Sequence, residues 1–395
     1  MMPGIMYSGK KDRLLYFFKS FLKGTLLMSR TQFIFIVENT IYLNDGYKAR
    51  TEMELELIGD KVDCCIVVPY SEKVLSFKKK VKIIKYHVSG DRYFSFNNKK
   101  KLCKCLNKII GERNNCIIYC EALSGAIEVL DFCKKRQLKM VFDCHGSAPD
   151  ETYYCHPNIL GRVVAFFKRV KQQEVTSYSD LIVTVSNAMY NHLSTNTKHV
   201  LLPMIPAKHF FDEHSYREEY REKNNIPQDA QVFVYAGQNQ KWQMSEETVD
   251  FYKRIEDRKE NSFLLILTGN VADFSKMCEE KQIKNYKVIK VPYNDMPKYL
   301  DTADFGFCLR ADNNVNRVAS PTKILEYLSR NVKPVITDCI GDFSNDLKKN
   351  EYACIVDIND PIPKLTKGKN FNSRKYVLEL AKTTSNNYLQ CLKEL

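Results

Sequence analysis

The stretch DFGFCLRADNNVNRVASPTKILEYLSRNVKPVITD, residues 304–338, is the part of the chain that best indicates the fold. It opens and closes on short apolar runs, 304–310 and 333–338, and apolar residues recur at helical spacing between them. Ser320 is a favourable capping residue for that helix, and Pro321 suits its first turn. Three apolar residues would form the buried face: Ile324, Leu325 and Leu328. The pattern therefore predicts a strand, a helix and a second strand parallel to the first.

Along the whole chain, strand-like runs alternate with helix-like segments in two series. The first series has runs at 31–40, 64–70, 81–88, 115–122, 139–146, 180–186 and 198–204. The second has runs at 231–237, 262–270, 286–293, 304–310, 333–338 and 352–357. Such alternation is typical of parallel sheets covered by helices on both faces, so we predict an α/β chain of two doubly wound, Rossmann-like domains facing across a cleft. Ligands of such sheets bind beyond the carboxyl ends of the strands, which makes the cleft the expected site.

The length and composition fit two folded domains. The chain has 395 residues, of which 44% are hydrophobic and 27% charged, and this composition excludes a mostly disordered protein. A single long helix is expected to end near Tyr178. The pattern predicts four parts, namely a basic amphipathic segment 1–30, a first domain 31–205, a second domain 206–372 and a C-terminal helix 373–395.

The cysteines and the apolar runs indicate the compartment. The fourteen cysteines are scattered through strand-like and helix-like segments, which favours a reduced environment over a disulfide scaffold. Their spacing does not match a zinc ribbon or finger, so no metal is expected. No apolar run approaches the roughly 20 residues that span a bilayer, and residues 1–11 lack a secretory signal. We therefore expect a soluble, cytoplasmic protein.

Positive charge is concentrated in two regions. Lys and Arg total 60 against 47 Asp and Glu, a net charge of +13, and residues 77–113 hold twelve basic residues against Asp91 and Glu112. Residues 10–30 carry further lysines beside one apolar helical face. These patterns predict either contact with an anionic membrane surface or a helix packed on the domain beside a solvated basic face. No nucleic-acid-binding motif accompanies the charge, so nucleic acid is not expected as a partner.

The helix expected to start near Ser320 has the features of an anion site. Lys323 would lie in its first turn, where it would hold an anion together with the free N–H groups. Arg310 and Arg317 offer further positive charge, as a departing diphosphate would need. Glu326, one turn later, is placed to accept two hydroxyls from a ribose. The alternative is that Lys323 and Glu326 form an ordinary exposed helix face.

Three segments of the chain match one family pattern. They are FDCHGSAPDE (142–151), EVTSYSDLIVTVSNAMYNHL (174–193), and MPKYLDTADFGFCLR with SPTKILEYLSRNVKPVI (296–336). In this order they resemble the retaining family 4 glycosyltransferases of the GT-B fold, especially those that build bacterial cell-surface polysaccharides. The resemblance covers most of the chain. It implies a nucleotide diphosphate sugar as the donor substrate, with no metal and no other cofactor.

The resemblance also implies which residues of the second domain meet the donor. Glu326 would bind the ribose, whereas the family's first glutamate falls at Val318 and is absent. In GQNQKWQ (237–243), Gln238 replaces the family's arginine and Lys241 matches its lysine. Three basic residues would stabilise charge on the departing diphosphate: Lys241, Lys323 and Arg310. The remaining residues expected to contact the donor are Ser320, Pro321, Thr322, Gly237, Gln238, Tyr293 and, in a glycine loop after the first strand, Gly46.

In the first domain the resemblance implies contacts to the sugar and to the acceptor. His145 would contact the donor sugar, although a lone histidine is otherwise more often structural. Asp150 and Glu151 would either point at the acceptor or cap the following helix. The implied reaction is sugar transfer with retained configuration to a saccharide or lipid-linked saccharide. If residues 10–30 and the basic run 78–113 lie on one side of the first domain, the acceptor cleft would face the inner face of the plasma membrane. The C-terminal helix, 373–395, would return to the first domain.

Two other classes of protein remain open. A sugar-nucleotide epimerase or hydrolase would use the same second domain but would need catalytic carboxylates and a histidine facing the sugar in the first. A non-catalytic basic protein that binds lipid or nucleic acid would account for residues 77–113. It would leave the Ser-Pro-Thr-Lys helix start, 320–323, without a purpose.

Overall fold

The computed structural model describes residues 31–38, 41, 45–60, 62–88, 96–113, 115–258, 261–368 and 371–395. The chain divides into two compact units. The first comprises Met1–Thr184, Leu193–Leu202 and Lys382–Leu395, and the second comprises Val185–His192 and Pro203–Ala381. The amphipathic segment expected at 10–30 lies outside the described residues.

The described part of the first unit contains a seven-stranded parallel sheet. Its strands are β1 (Gln32–Ile36), β2 (Cys64–Pro69), β3 (Lys82–Tyr86), β4 (Cys116–Cys120), β5 (Lys139–Cys144), β6 (Leu181–Thr184) and β7 (His199–Leu201). They are ordered β3-β2-β1-β4-β5-β6-β7, and every neighbouring pair is parallel. Every residue of β2 and β4 is buried, as expected for strands covered on both faces. The chain reverses direction across the sheet between β1 and β4, which is the topological switch point.

One helix of the first unit that the sequence predicted is divided in the structure. They are α1 (Asp45–Ile58), α2 (Phe96–Ile110), α3 (Leu123–Arg136), α4 (Ala148–Cys155) and α5 (Ile159–Tyr178). The single long helix expected before Tyr178 is wrong, because α4 and α5 are separate. Pro157 lacks an N–H and disfavours helical backbone at the residue before it. Asn158 then caps α5, its side chain accepting a hydrogen bond from the Gly161 N–H at 2.8 Å.

The described part of the second unit contains a six-stranded parallel sheet. Its strands are β8 (Gln231–Ala236), β9 (Ser262–Leu267), β10 (Tyr286–Ile289), β11 (Phe305–Cys308), β12 (Lys333–Ile336) and β13 (Cys354–Ile355). Their order is β10-β9-β8-β11-β12-β13, and all pairs are parallel. The switch point lies between β8 and β11. The two sheets confirm the predicted pair of doubly wound, Rossmann-like domains.

The remaining helices cover the second sheet and close the chain. Those of the second unit begin with α6 (Asn187–Leu193), which runs one residue past it, and continue with α7 (Arg217–Lys223), α8 (Ser245–Glu256), α9 (Val271–Glu280), α10 (Met296–Leu300), α11 (Asn314–Arg317), α12 (Thr322–Ser329) and α13 (Phe343–Lys349). The last helix, α14 (Arg374–Lys393), contributes residues to both units. In the first unit the α14 residue Tyr388 donates a hydrogen bond to the Tyr119 hydroxyl at 3.2 Å. None of the described helices is both long and apolar enough to cross a bilayer.

Helix α12 is held against β8 and β11 by Tyr327. The Tyr327 hydroxyl accepts a hydrogen bond from the Ala236 N–H at 2.9 Å. Its ring lies on Gly306, where a Cβ would come within 2.4 Å of a ring carbon, so only glycine leaves room there. The start of the helix is not as predicted. Pro321 is extended (φ −61°, ψ 121°) and occupies the capping position, so Thr322 is the first helical residue and Ser320 does not cap it.

Candidate functional site

The amino group of Lys323 lies beside the loop that follows β8. Its Nζ donates a hydrogen bond to Gln243 Oε1 at 3.0 Å and sits 4.5 Å from the ring centroid of Tyr235. The Tyr235 hydroxyl is also 3.0 Å from Gln243 Oε1, so one amide oxygen fixes both groups. Among the described residues, no carboxylate forms an ion pair with Lys323. The sequence predicted Lys323, but nothing in it distinguished Tyr235 or Gln243.

Burial changes the acidity of Lys323. The pKa of this amine falls from 10.5 to about 7, mainly because burial desolvates it, and the positive charge of Arg310 acts in the same direction. The negative charge of Glu326 acts in the opposite direction. An anion bound here would favour the protonated amine, since an opposite charge nearby raises a lysine pKa.

Gly237 leaves the space that Lys323 and Gln243 occupy. It follows the last residue of β8, and a Cβ at this position would lie 2.5 Å from Gln243 Oε1 and 2.8 Å from Lys323 Nζ. A side chain at 237 would therefore displace the amine. The predicted residues Gly237 and Lys323 are thus brought into contact.

Arg310, just after β11, has an unsatisfied buried donor. Its side chain is 8% exposed, Nη1 donates to the Trp242 carbonyl at 3.0 Å, and Nε has no hydrogen-bond partner among the described residues. Thr337 fixes the Arg310 backbone with hydrogen bonds to both its N–H (3.0 Å) and its carbonyl (2.8 Å). A buried guanidinium normally carries an anionic partner, so this arrangement fits an anionic ligand.

Glu326 is buried, which excludes the ordinary exposed helix face as an explanation. It is 7% exposed, and its Oε1 accepts a hydrogen bond from the Tyr293 hydroxyl at 2.9 Å. The pKa of Glu326 rises from 4.5 to about 7 because desolvation outweighs the opposing effects of the hydrogen bond from Tyr293 and the charge of Lys323. Tyr293 is itself held by His209 and Phe210, with both ring centroids 5.4 Å from its own.

The contacts of the other predicted residues of the second unit do not indicate a role in binding. Gln238 is exposed, with its amide nitrogen and oxygen each 3.1 Å from where a Cβ on Gly269 would stand. Arg317 is exposed and paired with Asp312 at 2.6 Å, so its charge is already compensated. Ser320, Pro321 and Thr322 are half-buried at the start of α12. Lys241 begins a 3-10 turn, Lys241–Gln243, and its side chain lies outside the described part of the structure.

In the first unit, His145 follows β5 and contacts Tyr47. The two ring centroids are 4.9 Å apart, edge to face. The His145 Nε2 is hydrogen-bonded to the backbone carbonyl of Glu121, at the end of β4. Because a carbonyl oxygen can only accept, Nε2 is the donor in this bond.

The two acidic candidates behave differently. Asp150 is buried in the first turn of α4, accepts a hydrogen bond from the Ser147 hydroxyl and pairs with Arg169 at 2.9 Å. These contacts fix the Asp150 carboxylate at the start of α4, where no side chain forms a capping hydrogen bond to the backbone among the described residues. Glu151 lies against Gly146, with Oε1 2.5 Å from where a Cβ would stand. Gly46 is the second residue of α1 and not part of a loop, because the helix begins at Asp45.

The first unit also contains a buried network of ion pairs and hydrogen bonds around Arg50. Arg50 donates to both oxygens of Asp143, at 2.8 and 3.0 Å, and to the Leu202 carbonyl at 2.7 Å. Glu54 is 3.1 Å from Arg50 and accepts from the Tyr119 hydroxyl at 2.7 Å. The sequence pattern did not indicate these pairings, since they join residues up to 152 positions apart. Among the described residues, no three His, Cys, Asp or Glu side chains are grouped so as to hold a metal ion.

Comparison with known proteins places the fold. No family model and no curated protein matches the chain. A glycosyltransferase from Rickettsia africae ESF-5 is similar in structure, with a TM-score of 0.61, 14% identity, and coverage of 92% of this chain and 96% of its own. Anabaena Alr3699/HepE in complex with UDP and glucose has a TM-score of 0.55 and 10% identity, with coverage of 92% of this chain and 95% of its own. The lipopolysaccharide outer core galactosyltransferase WaaB has a TM-score of 0.55 and 13% identity, with coverage of 90% of this chain and 91% of its own. The chain therefore has the GT-B fold.

Proposed function

We propose that this protein is a glycosyltransferase that moves a sugar from a nucleotide diphosphate sugar to a saccharide acceptor. The observation that carries the proposal is the buried guanidinium of Arg310, whose Nε has no partner among the described residues. It stands with the amine of Lys323 at the carboxyl ends of β8 and β11, where doubly wound sheets bind phosphates. Two desolvated cations without a carboxylate partner favour a dianionic ligand such as a diphosphate.

The donor would be held by charge at one end and by hydrogen bonds at the other. Lys323 and Arg310 would neutralise the diphosphate oxygens, with Lys241 as a third cation, and the negative charge that grows as the sugar leaves would be stabilised there. Glu326 would accept the ribose hydroxyls, held in place by Tyr293. These roles need neither a metal nor a covalent nucleophile.

The finer features of the proposal rest on the family resemblance and on the neighbours. Retention of anomeric configuration follows from the resemblance of 142–151, 174–193 and 296–336 to the retaining family 4 enzymes. HepE was solved with UDP and glucose, which supports a uridine nucleotide as the first donor to test. WaaB acts on the lipopolysaccharide outer core, which supports a lipid-linked acceptor and a role in cell-surface polysaccharide synthesis.

A donor screen tests the proposal. Thermal shift and calorimetry with UDP-, GDP-, ADP- and CMP-sugars should find one nucleotide that stabilises the protein, because a ligand that binds the folded state raises its stability. Products are then analysed with and without a saccharide acceptor. Product that forms only with acceptor supports transfer. Free sugar or an isomerised donor without acceptor would instead support the hydrolase or epimerase alternative, and no binding of any donor would refute both.

A pair of arginine variants tests the observation itself. Arg310→Gln should lower turnover by about a hundredfold or more, because the missing charge acts on the leaving diphosphate in the transition state. Arg317→Gln is the matched variant, since Arg317 is exposed and already paired with Asp312. Equal losses from the two substitutions would contradict a specific role for Arg310.

A further inference from the structure

The first half of α5 exposes a large apolar surface. Seven of the eleven exposed large hydrophobic side chains in the described residues lie on this helix. The most exposed are Ile159 (81%), Leu160 (72%), Phe166 (64%) and Phe167 (62%), followed by Val163, Val164 and Val170. Isolated exposed apolar residues are common, but a contiguous patch of this kind marks an interaction surface.

These side chains share one face of the helix. Residues 159, 163, 166 and 170 recur at intervals of three and four, and 160 and 167 lie beside that row. The side chains of α5 that are buried lie on the opposite face, and they include Gln172, Val175 and Thr176. The apolar row therefore points away from the sheet that α5 packs on, and its exposure is not explained by the fold.

Cations flank the apolar row. Between residues 152 and 173 the sequence has Arg162, Lys168, Arg169 and Lys171 and no Asp or Glu. Arg169 pairs with Asp150 and Lys171 with Glu174. The other two contact hydroxyls, Arg162 that of Tyr153 at 3.3 Å and Lys168 that of Thr152 at 2.8 Å, and neither forms an ion pair with a described carboxylate. The surface is thus both apolar and positively charged.

We propose that α5 docks the protein on an anionic membrane surface, with the row from Ile159 to Val170 entering the interface and the flanking cations meeting lipid phosphates. Helices with one apolar face and basic flanks bind in the plane of such surfaces. A second copy of this chain would bring like charges together. The segment 10–30 carries six Lys or Arg against Asp12, so it too would be repelled. Within the described part of 77–113, no large hydrophobic side chain is exposed, so that run offers charge without apolar area.

The proposal goes beyond the proposed function and has a consequence for it. Helix α4 directly precedes α5, and its eight residues span about 12 Å from the loop that carries His145. Docking through α5 would therefore hold this loop near the lipid headgroups, where a lipid-linked acceptor presents its sugar. Docking itself needs neither donor nor acceptor. Its failure and a failure of sugar transfer are therefore separate results.

Vesicle sedimentation of the full chain tests docking. Wild type should pellet with vesicles of equal parts phosphatidylglycerol and phosphatidylcholine at low salt, and should remain in solution at high salt or with phosphatidylcholine alone. Phe166→Ser combined with Phe167→Ser should lower the partition coefficient by about tenfold or more, and Arg162→Gln with Lys168→Gln should lower it on anionic vesicles. Val74→Ser, at another exposed apolar residue, and Lys78→Gln with Lys80→Gln, in the other basic region, are the matched controls.

A fluorescence experiment covers the case in which binding is weak. Phe167→Trp places a reporter in the row, and brominated lipids should quench its emission, whereas Val74→Trp and wild type, which has Trp242 alone, should show no quenching. Unchanged pelleting of the phenylalanine variant would overturn the proposal. Loss of vesicle binding only in the variant Lys19→Gln with Lys23→Gln would also overturn it. So would a wild-type dimer in sedimentation velocity that is absent in the phenylalanine variant.

Discussion

The Tyr293 hydroxyl donates a hydrogen bond of 2.9 Å to Oε1 of Glu326, and this contact sets the state of a buried carboxylate. Burial raises the pKa of Glu326 to about 7, and the bond from Tyr293 acts against that rise. A carboxylate must be ionised to accept two ribose hydroxyls well. Tyr293 therefore favours the form of Glu326 that the proposed function requires.

Tyr293→Phe is expected to weaken binding of the nucleotide sugar about three- to tenfold, because one charge-assisted hydrogen bond is lost. The loss should be larger at lower pH, since Glu326 without its donor protonates more readily. Calorimetry across a pH series measures this. Tyr286→Phe, at the amino end of β10, is the control and should bind as wild type does. An affinity loss that does not depend on pH would contradict the role assigned to Tyr293.

The affinity for a nucleotide sugar should pass through a maximum near pH 7. Below this pH Glu326 gains a proton, and above it Lys323 loses one, because burial places both pKa values at about 7. A sugar diphosphate diester does not titrate in this range, so the profile reports on the protein. Lys323→Arg should keep its charge and abolish the decline on the alkaline side. Calorimetry between about pH 6 and pH 9 decides this, and an unchanged alkaline limb in that variant would refute the assignment.

Lys323→Met should stabilise the protein while removing donor binding. The folded state lowers the pKa of Lys323, so between about pH 7 and 10.5 the unfolded chain binds more protons and stability rises with pH. Below pH 7 the amine is charged in both states and its desolvation lowers stability in full. Methionine avoids this, and we expect a gain of about 1 kcal/mol at pH 6 in chemical denaturation. A destabilised variant would show that Lys323 has a structural role.

Gly237→Ala should displace the amine of Lys323. The new Cβ would stand 2.8 Å from Lys323 Nζ and 2.5 Å from Gln243 Oε1, so both side chains have to move. We expect donor affinity or turnover to fall roughly ten- to hundredfold, because misplacement of a positioning charge by an ångström is costly. Gly368→Ala is the matched control, since nothing lies within 4 Å of the Cβ there. Wild-type kinetics in Gly237→Ala would mean that the loop tolerates the displacement.

Gly306→Ala tests the packing of α12 on β11 through Tyr327. A Cβ on β11 would come within 2.4 Å of the Tyr327 ring, and neither the strand nor the buried ring has room to shift. The free energy of unfolding should fall by about 1–3 kcal/mol, as for other overpacked cores. Denaturant titration measures the change against Gly368→Ala. Donor binding should weaken as well, because α12 carries both Lys323 and Glu326.

Much of the fold followed from the sequence because each strand is a short apolar run between helical segments. The prediction failed where a single residue decides the outcome. Pro157 divides the helix expected before Tyr178, and Pro321 moves the start of α12 by one residue. Gly46 was assigned to a loop by resemblance, but it lies in the first turn of α1. Local backbone restrictions of this kind override a periodic pattern.

The sequence by itself determined the two parallel sheets, the helix after β11 and the charged residues on that helix. This is because the spacing of apolar residues and the residue composition are local properties of the chain. Only the tertiary structure decided which of the charges are buried. Arg310 and Arg317 are alike in sequence, yet one is enclosed with an unpaired donor and the other is exposed and paired with Asp312. The apolar face of α5 is the converse case. Its residues are apolar, which is typical of a buried core. They are exposed because the opposite face of the helix already packs on the sheet.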